Sequence, residues 1–232
     1  SLDTIGVLAR DVEDAELISD VLTGQTWEER DLPNAPPAIG VCKTVLWERA
    51  EPETVEALQA AREGLVQAGA RVDEVEMPRD FTAVDEARAV INAVERARSM
   101  AFEWAHYRGE ISATLGETLA EGTKMPYVAY AAALETCREM RGRLPALFGE
   151  RDALLVPCVP GAAPIGLDST GDPAFQGFWT ALHVPSITLP TYRTADGLPV
   201  GVQLVARPRE DRALLAAARW AMAQLEEPEH AA

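Results

Sequence analysis

The run Ala153-Leu154-Leu155-Val156-Pro157 constrains the fold of this chain more than any other stretch. It is apolar throughout and only strand-long, so it has no polar face to offer water. Such a strand belongs in the middle of a sheet with both faces covered. Helical patterns flank it on either side, and helices over both faces of a sheet make an α/β layer fold. A second constraint is Asp196-Gly197, a strong hairpin signal between Ser186-Ile187-Thr188-Leu189 and Val200 to Val205. Hairpins are antiparallel and strand–helix–strand units are parallel, so the sheet is predicted to be mixed.

The rest of the chain fills in that frame. Residues 11 to 24 read as a helix with Asp11 as N-cap, a Val12, Ala15, Ile18, Leu22 stripe and Gly24 as C′ residue. Gln25 to Pro37 is polar and reads as a surface connection. Ala38 to Cys42 is a short strand. A helix starts at Pro52, an apt first helical residue, and runs on a Val55, Leu58, Ala61, Leu65, Ala68 stripe to Gly69. Ala70 to Met77 follows as a strand, which completes a right-handed βαβ unit. The middle is helical, with one stripe from Val84 to Ala101 and another from Tyr127 to Leu144 that Pro145 is expected to kink or end. Gly109 to Pro126 reads as a shorter helix or a loop. Val200, Val202 and Leu204 alternate with Gly201 and Gln203, as in a half-buried strand. Asp211 to Leu225 is an amphipathic helix, and the tail from Glu226 is expected to fray. This much helix exceeds what so small a sheet buries, so part of the sheet is expected to be missing from the domain, residues 1–232.

Composition narrows the function classes. The chain has 232 residues, 47% hydrophobic and 25% charged, an ordinary globular make-up. No apolar stretch is long enough to span a bilayer, and Ser1-Leu2-Asp3-Thr4 has neither a basic nor an apolar leader region. A net charge of −16 repels a phosphate backbone, so neither nucleic acid nor a membrane is an expected partner. The three cysteines, Cys42, Cys137 and Cys158, are far apart and form no metal spacing, so a reducing cytoplasmic setting is expected.

Pro157 to Gly177 is the segment most suited to chemistry. It is rich in Pro, Gly, Asp, Ser and Thr, it follows a buried strand, and it lies where open α/β sheets form ligand crevices. Trp179, just beyond, would give a flat apolar wall to such a crevice, or would be core. A self-contained triad of Ser169, Asp168 or Asp172, and His183, or of Cys158 with His183, has nothing in its spacing to enforce the geometry, and Ser169 lacks a nucleophile elbow. His106 and His230 have no chemical neighbours in sequence. Glu51, Glu53 and Glu56 read as a solvated acidic cluster at a helix start.

Several runs resemble the amidase signature family of amide hydrolases, in order and spacing. Ser1 to Gly6 with Leu8 to Ala15 is similar to the stretch just after that family's Gly/Ser-rich signature. Gly166 to Pro173 with Trp179 to Leu182 resembles its pocket loop and helix. Val184 to Pro190 and Gly197 to Val205 resemble its C-terminal hairpin. Val7 stands where proline is usual, and His183 where glycine is usual.

The resemblance implies a mixed sheet wrapped by helices and a Ser–cis-Ser–Lys triad needing no metal or organic cofactor. No triad position falls on this sequence, so no catalytic residue is carried over. Asp3 and Thr4 would lie near the active-site floor; Gly166, Leu167, Asp168 and Ser169, with Trp179, would line the substrate cleft. The implied function is the C-terminal, pocket-shaping part of an enzyme that turns a small carboxamide into acid and ammonia. Its implied partner is the missing N-terminal half, or another copy of the chain. The alternatives are a non-catalytic partner protein that associates through an exposed sheet edge, and an A-type component of a tRNA-dependent amidotransferase.

Overall fold

The computed structural model describes residues 1–24 and 35–225. The connection read at Gln25 to Pro37 lies mostly outside these residues, and the tail from Glu226, with His230, lies wholly outside. Among the described residues five strands form one sheet: β1 (Ala38–Val41), β2 (Arg71–Glu74), β3 (Ala153–Pro157), β4 (Ser186–Arg193) and β5 (Pro199–Val205), in the order β2-β1-β3-β5-β4. β1 is parallel to both β2 and β3, whereas β5 is antiparallel to both β3 and β4. The sheet is therefore mixed, and β4 runs in the same direction as β3.

Helices cover both faces. α2 (Pro52–Gln67) and α8 (Asp211–Gln224) pack on one, over Ile39, Val41, Leu155, Val202 and Leu204. α3 (Ala83–Ser99), α6 (Tyr127–Phe148) and α7 (Ala174–Ala181) pack on the other, over Leu154, Val156 and Val205. β3 is buried at every position because its alternate side chains feed the two cores. α1 (Val12–Thr23), α4 (Ala101–His106) and α5 (Ala113–Lys124) complete the α-helices among the described residues.

The local signals work as the physics requires. Asp11 accepts the Asp14 N–H at 2.8 Å, and Gly24 closes α1 in the left-handed region. Pro52 opens α2 at its first turn. Three expectations need correction or narrowing. Of the two outcomes expected at Pro145, an end to the helix is excluded, since α6 runs on to Phe148; tertiary packing of Leu144, Leu147 and Phe148 outweighs the lost hydrogen bond. β2 is shorter than Ala70–Met77, because only Arg71–Glu74 finds a partner in β1. Gln203 is 3% exposed rather than solvent-facing, because helices cover both sides of β5.

Candidate functional site

β3 ends at Pro157, and the chain then runs irregularly from Cys158 to Pro173 before entering α7. The N-terminus of α2 holds the start of this loop. Glu51 N–H donates to the Pro160 carbonyl at 2.7 Å, and the Thr54 hydroxyl donates to the Val159 carbonyl at 2.9 Å. At the far end of the loop, Asp172 accepts the Ala174 N–H at 3.0 Å and pairs with Arg49 at 2.8 Å. Both ends of a Pro/Gly-rich segment are thus tied down.

Beneath the loop lies a cavity of about 610 Å³ at the C-terminal edge of β3. That is the edge where open α/β sheets form crevices. Its walls are mainly small and apolar, including Ala162, Pro164 and Pro190. Three polar groups converge there from three separate elements: Cys158 after β3, Gln176 on α7 and Thr188 on β4. The Cys158 sulfur is 3.2 Å from the Thr188 hydroxyl, and the Gln176 amide donates to it at 3.4 Å. Gly201 on β5 makes room for this arrangement, since a Cβ there would stand 2.6 Å from the Thr188 methyl. Glu51 and Asp172 bring carboxylates to the lining.

A second cavity, of about 620 Å³, lies at the opposite end of β4. Asp3 and Thr4 line it, together with Thr180, His183 and Ser186. The same two elements, α7 and β4, contribute residues to each cavity. Thr180 is one turn beyond Gln176 on α7, and its hydroxyl donates to the Gln176 carbonyl at 3.0 Å. Ser186 is two residues before Thr188 on β4, about 7 Å along the strand and on the same face. α7 and β4 therefore contribute to both cavities, although the two have no lining residue in common. Gln203 pairs with Thr188 across the strands, so its side chain emerges on that same face. Its Oε1 has no hydrogen-bond partner among the described residues, and neither has Nε1 of Trp179. An unmet buried polar group costs about 1–3 kcal/mol.

Ser1 anchors the segment that carries Asp3 and Thr4. Its hydroxyl donates to Glu95 at 2.7 Å, and Glu95 also accepts from Tyr130 at 2.8 Å. The Ser1 carbonyl lies 3.0 Å from Nε2 of His183, and the same nitrogen lies 2.8 Å from Nη2 of Arg141. One ring nitrogen can accept from Arg141 or donate to Ser1, but not both. Burial, followed by the Arg141 charge, holds the His183 pKa below its ordinary value of 6.5. His183 also adopts φ +54°, in the left-handed region that glycine enters freely, which accounts for the usual residue there.

The structure brings together only some of the residues singled out from sequence. Asp3 and Thr4 share a cavity, but Gly166, Leu167, Asp168 and Ser169 project into solvent from the loop crest, with Leu167 fully exposed. Trp179 is 1% exposed and lies in the core, edge-on to Phe178 at 5.3 Å, because α7 turns Phe175, Phe178 and Trp179 onto the sheet. No triad assembles. The Ser169 hydroxyl accepts the Gly171 N–H, Asp172 is held by Arg49, and Cys158 and His183 line different cavities. Sequence reading misses Gln176 and Thr188 altogether; Glu51, read as a solvated charge, is exposed as expected and also reaches the lining of the loop cavity. The one available signal is the Gln176/Thr180 pair at i, i+4 on α7, opposite its apolar face. His106 lies at the end of α4, bonded to the Phe102 carbonyl. Among the described residues no group of side chains could hold a metal ion, and no helix is long and apolar enough to cross a membrane.

Comparison with known proteins adds the following. The model of a family described as Amidase matches residues 1–215. The 2-amino-5-chloromuconic acid deaminase of Comamonas testosteroni is 29% identical over 235 residues, 93% of this chain and 50% of that protein. The A-type component of the glutamyl-tRNA(Gln) amidotransferase of Koribacter versatilis is 25% identical, over 89% of this chain and 52% of its own length. A crystal structure of an amidase superposes with a TM-score of 0.80 at 27% identity, over 94% of this chain and 52% of the other. The chain spans about half the length of the relatives it matches.

Proposed function

This chain belongs to the amidase family, and from that premise we propose that it forms the substrate-binding side of a carboxamide hydrolase whose nucleophile lies on other polypeptide. The observation that carries the reading is the pair of cavities to which α7 and β4 both contribute, taken here as the two ends of one trough, with no nucleophile–base pair among the described residues in either. A hydrolase of this kind needs a serine, a base and an oxyanion hole at the scissile carbonyl. In this reading Asp3 and Thr4 flank the reacting end of the trough. Cys158, Gln176 and Thr188 receive the rest of the substrate. Gly166, Leu167, Asp168 and Ser169 form a flap at its rim, and Trp179 supports α7 from below. The catalytic serines and lysine are supplied by the remaining half of an amidase domain, against the open side of β4 and the exposed face of α1.

The test is ammonia release from a panel of small carboxamides. It compares this chain alone with the product of the whole reading frame that encodes it. The chain alone is expected to be inactive, and the longer product to turn over and to lose activity when a serine outside residues 1–232 is replaced. Turnover by this chain alone, abolished by Ser169→Ala, would overturn the reading. A second reading, the A-type component of an amidotransferase, is favoured by the Koribacter relative's name; a strict requirement for tRNA and a glutamine donor would select it. The net charge of −16 disfavours a tRNA-facing surface.

A further inference from the structure

The cavity under the 158–173 loop has a chemical character of its own. Its lining includes two carboxylates, Glu51 and Asp172, and no lysine or arginine. The two carboxylates differ. Asp172 is neutralised by Arg49, 2.8 Å away, and Arg49 also reaches Asp85 at 3.4 Å. Glu51 has no cationic partner among the ion pairs of the described residues.

The Glu51 backbone is also held in place, while its side chain is exposed. Glu51 is the N-cap residue of α2, so its charge is favoured by the helix dipole. Its backbone N–H is bonded to Pro160, and its side chain folds over Gly161. A Cβ at Gly161 would lie 2.0 Å from a Glu51 carboxylate oxygen, so only glycine admits this placement. The lining of the cavity thus carries an exposed carboxylate with no cation paired to it among the described residues. The interior offers a thiol, a hydroxyl and a carboxamide, all neutral hydrogen-bonding groups. The space is of the size of ordinary small-ligand pockets.

We propose that this cavity selects substrate by charge, admitting neutral or cationic carboxamides and excluding carboxylates, with Glu51 as the discriminating residue and Cys158, Gln176 and Thr188 as the hydrogen-bonding floor. The proposal rests on the trough being the substrate site, and it names the class of molecule that the site takes. A carboxylate entering the cavity would meet Glu51 without a compensating cation, whereas a carboxamide would find both donors and acceptors.

Cys158 supplies a reporter that needs no turnover. Cys42 and Cys137 are in the core, and burial raises the pKa of each thiol, that of Cys42 to about 11. Iodoacetamide and iodoacetate are matched probes, one a neutral carboxamide and the other an anion. Each forms a carbon–sulfur bond as the carbon–iodine bond breaks, with iodide leaving and the thiol proton passing to buffer. Alkylation rates at Cys158 are read by mass spectrometry on the native chain, with glutathione as the free-thiol reference. The amide-to-acid rate ratio at Cys158 is expected to exceed that of glutathione by about fivefold in low salt. Glu51→Gln should return the ratio to the glutathione value while leaving iodoacetamide labelling intact. Glu63→Gln, the same charge change farther along α2, should leave the ratio unaltered. A wild-type ratio equal to that of glutathione, a ratio insensitive to Glu51→Gln, or a Cys158 inert to both reagents would each overturn the proposal. Charge discrimination without hydrolysis by the longer product would sink the hydrolase reading alone, and hydrolysis without discrimination would sink this proposal alone.

Discussion

The sheet ends in two unlike strands. β2 spans Arg71–Glu74 and turns Arg71, Asp73 and Glu74 to solvent. Arg151 donates to Asp73 at 2.8 Å, and Arg62 reaches Glu74 at 3.7 Å. β4 spans Ser186–Arg193, twice the length, and exposes Ser186, Thr188 and Pro190, with no charge before Arg193. Short charged edges resist further pairing, and long neutral ones invite it. Ile5, which lines a cavity with Ser186 at the start of β4, is 80% exposed, and Val21, on α1, is 76% exposed. One side of the molecule is finished by its own residues. The other is made like an interior and left open, and both cavities lie along it.

Packing is where the two edge strands differ most. Leu189→Ala on β4 removes a fully buried side chain and should cost about 2–5 kcal/mol in urea unfolding. Val72→Ala on β2 removes a half-buried one and should cost less than about 1.5 kcal/mol. Equal costs would mean that the two edges are built alike.

Next comes association. The chain alone should show a mass that rises with concentration by sedimentation. Ile187→Lys combined with Val21→Glu should suppress the rise, whereas Asp73→Ala on the opposite edge should not. A wild-type chain that stays monomeric at every concentration would contradict the open-side description.

The lead-in to β4 gives a smaller effect with a pH signature. A non-glycine residue in the left-handed region costs about 1–2 kcal/mol, and the extra chain entropy of glycine costs about 0.4–1 kcal/mol. His183→Gly should therefore stabilise by up to about 1 kcal/mol. The folded-state pKa of His183 is lowered, so its stabilising contribution is fully present above the ordinary value of 6.5 and is lost as pH falls through the folded value. The variant should flatten that acid-side loss in unfolding curves, and an unchanged slope would remove His183 as its cause.

The smallest effect is on β2. Arg151 holds the Asp73 carboxyl below its ordinary value of 3.8, which makes the pair stabilising above that pH and lost as the pH falls further. The Asp73 side chain is 54% exposed, so solvent screens the pair and Arg151→Ala should lose no more than about 1 kcal/mol of it.

Much of the fold is legible in the sequence, because its signals are local. Asp11 and Gly24 bound α1, Pro52 opens α2, and Asp196-Gly197 turns β4 into β5, each through backbone chemistry within a few residues. The unbroken apolarity of β3 correctly places it at mid-sheet. Pro145 does not stop its helix because its local cost is met by packing from distant residues, and Gln203 misleads because alternation does not report what covers the second face. The site is less legible. Cys158, Gln176 and Thr188 meet only after the chain passes around α7, so no periodicity links them. Glu51 looks like any acidic residue at a helix start until Gly161 is seen beneath it. Trp179 is the residue most open to two readings. Its place in the Phe175, Phe178, Trp179 stripe points inward, and that stripe prevails over its proximity to the loop.

The most direct test of the central claim, that this chain holds substrate and does not attack it, is intact mass after treatment with a fluorophosphonate. Such reagents phosphonylate the activated serine of a hydrolase. The chain alone is expected to keep its mass, and the product of its whole reading frame to gain a single adduct outside residues 1–232. A stoichiometric adduct on a serine within this chain, lost in Ser169→Ala, would contradict the account.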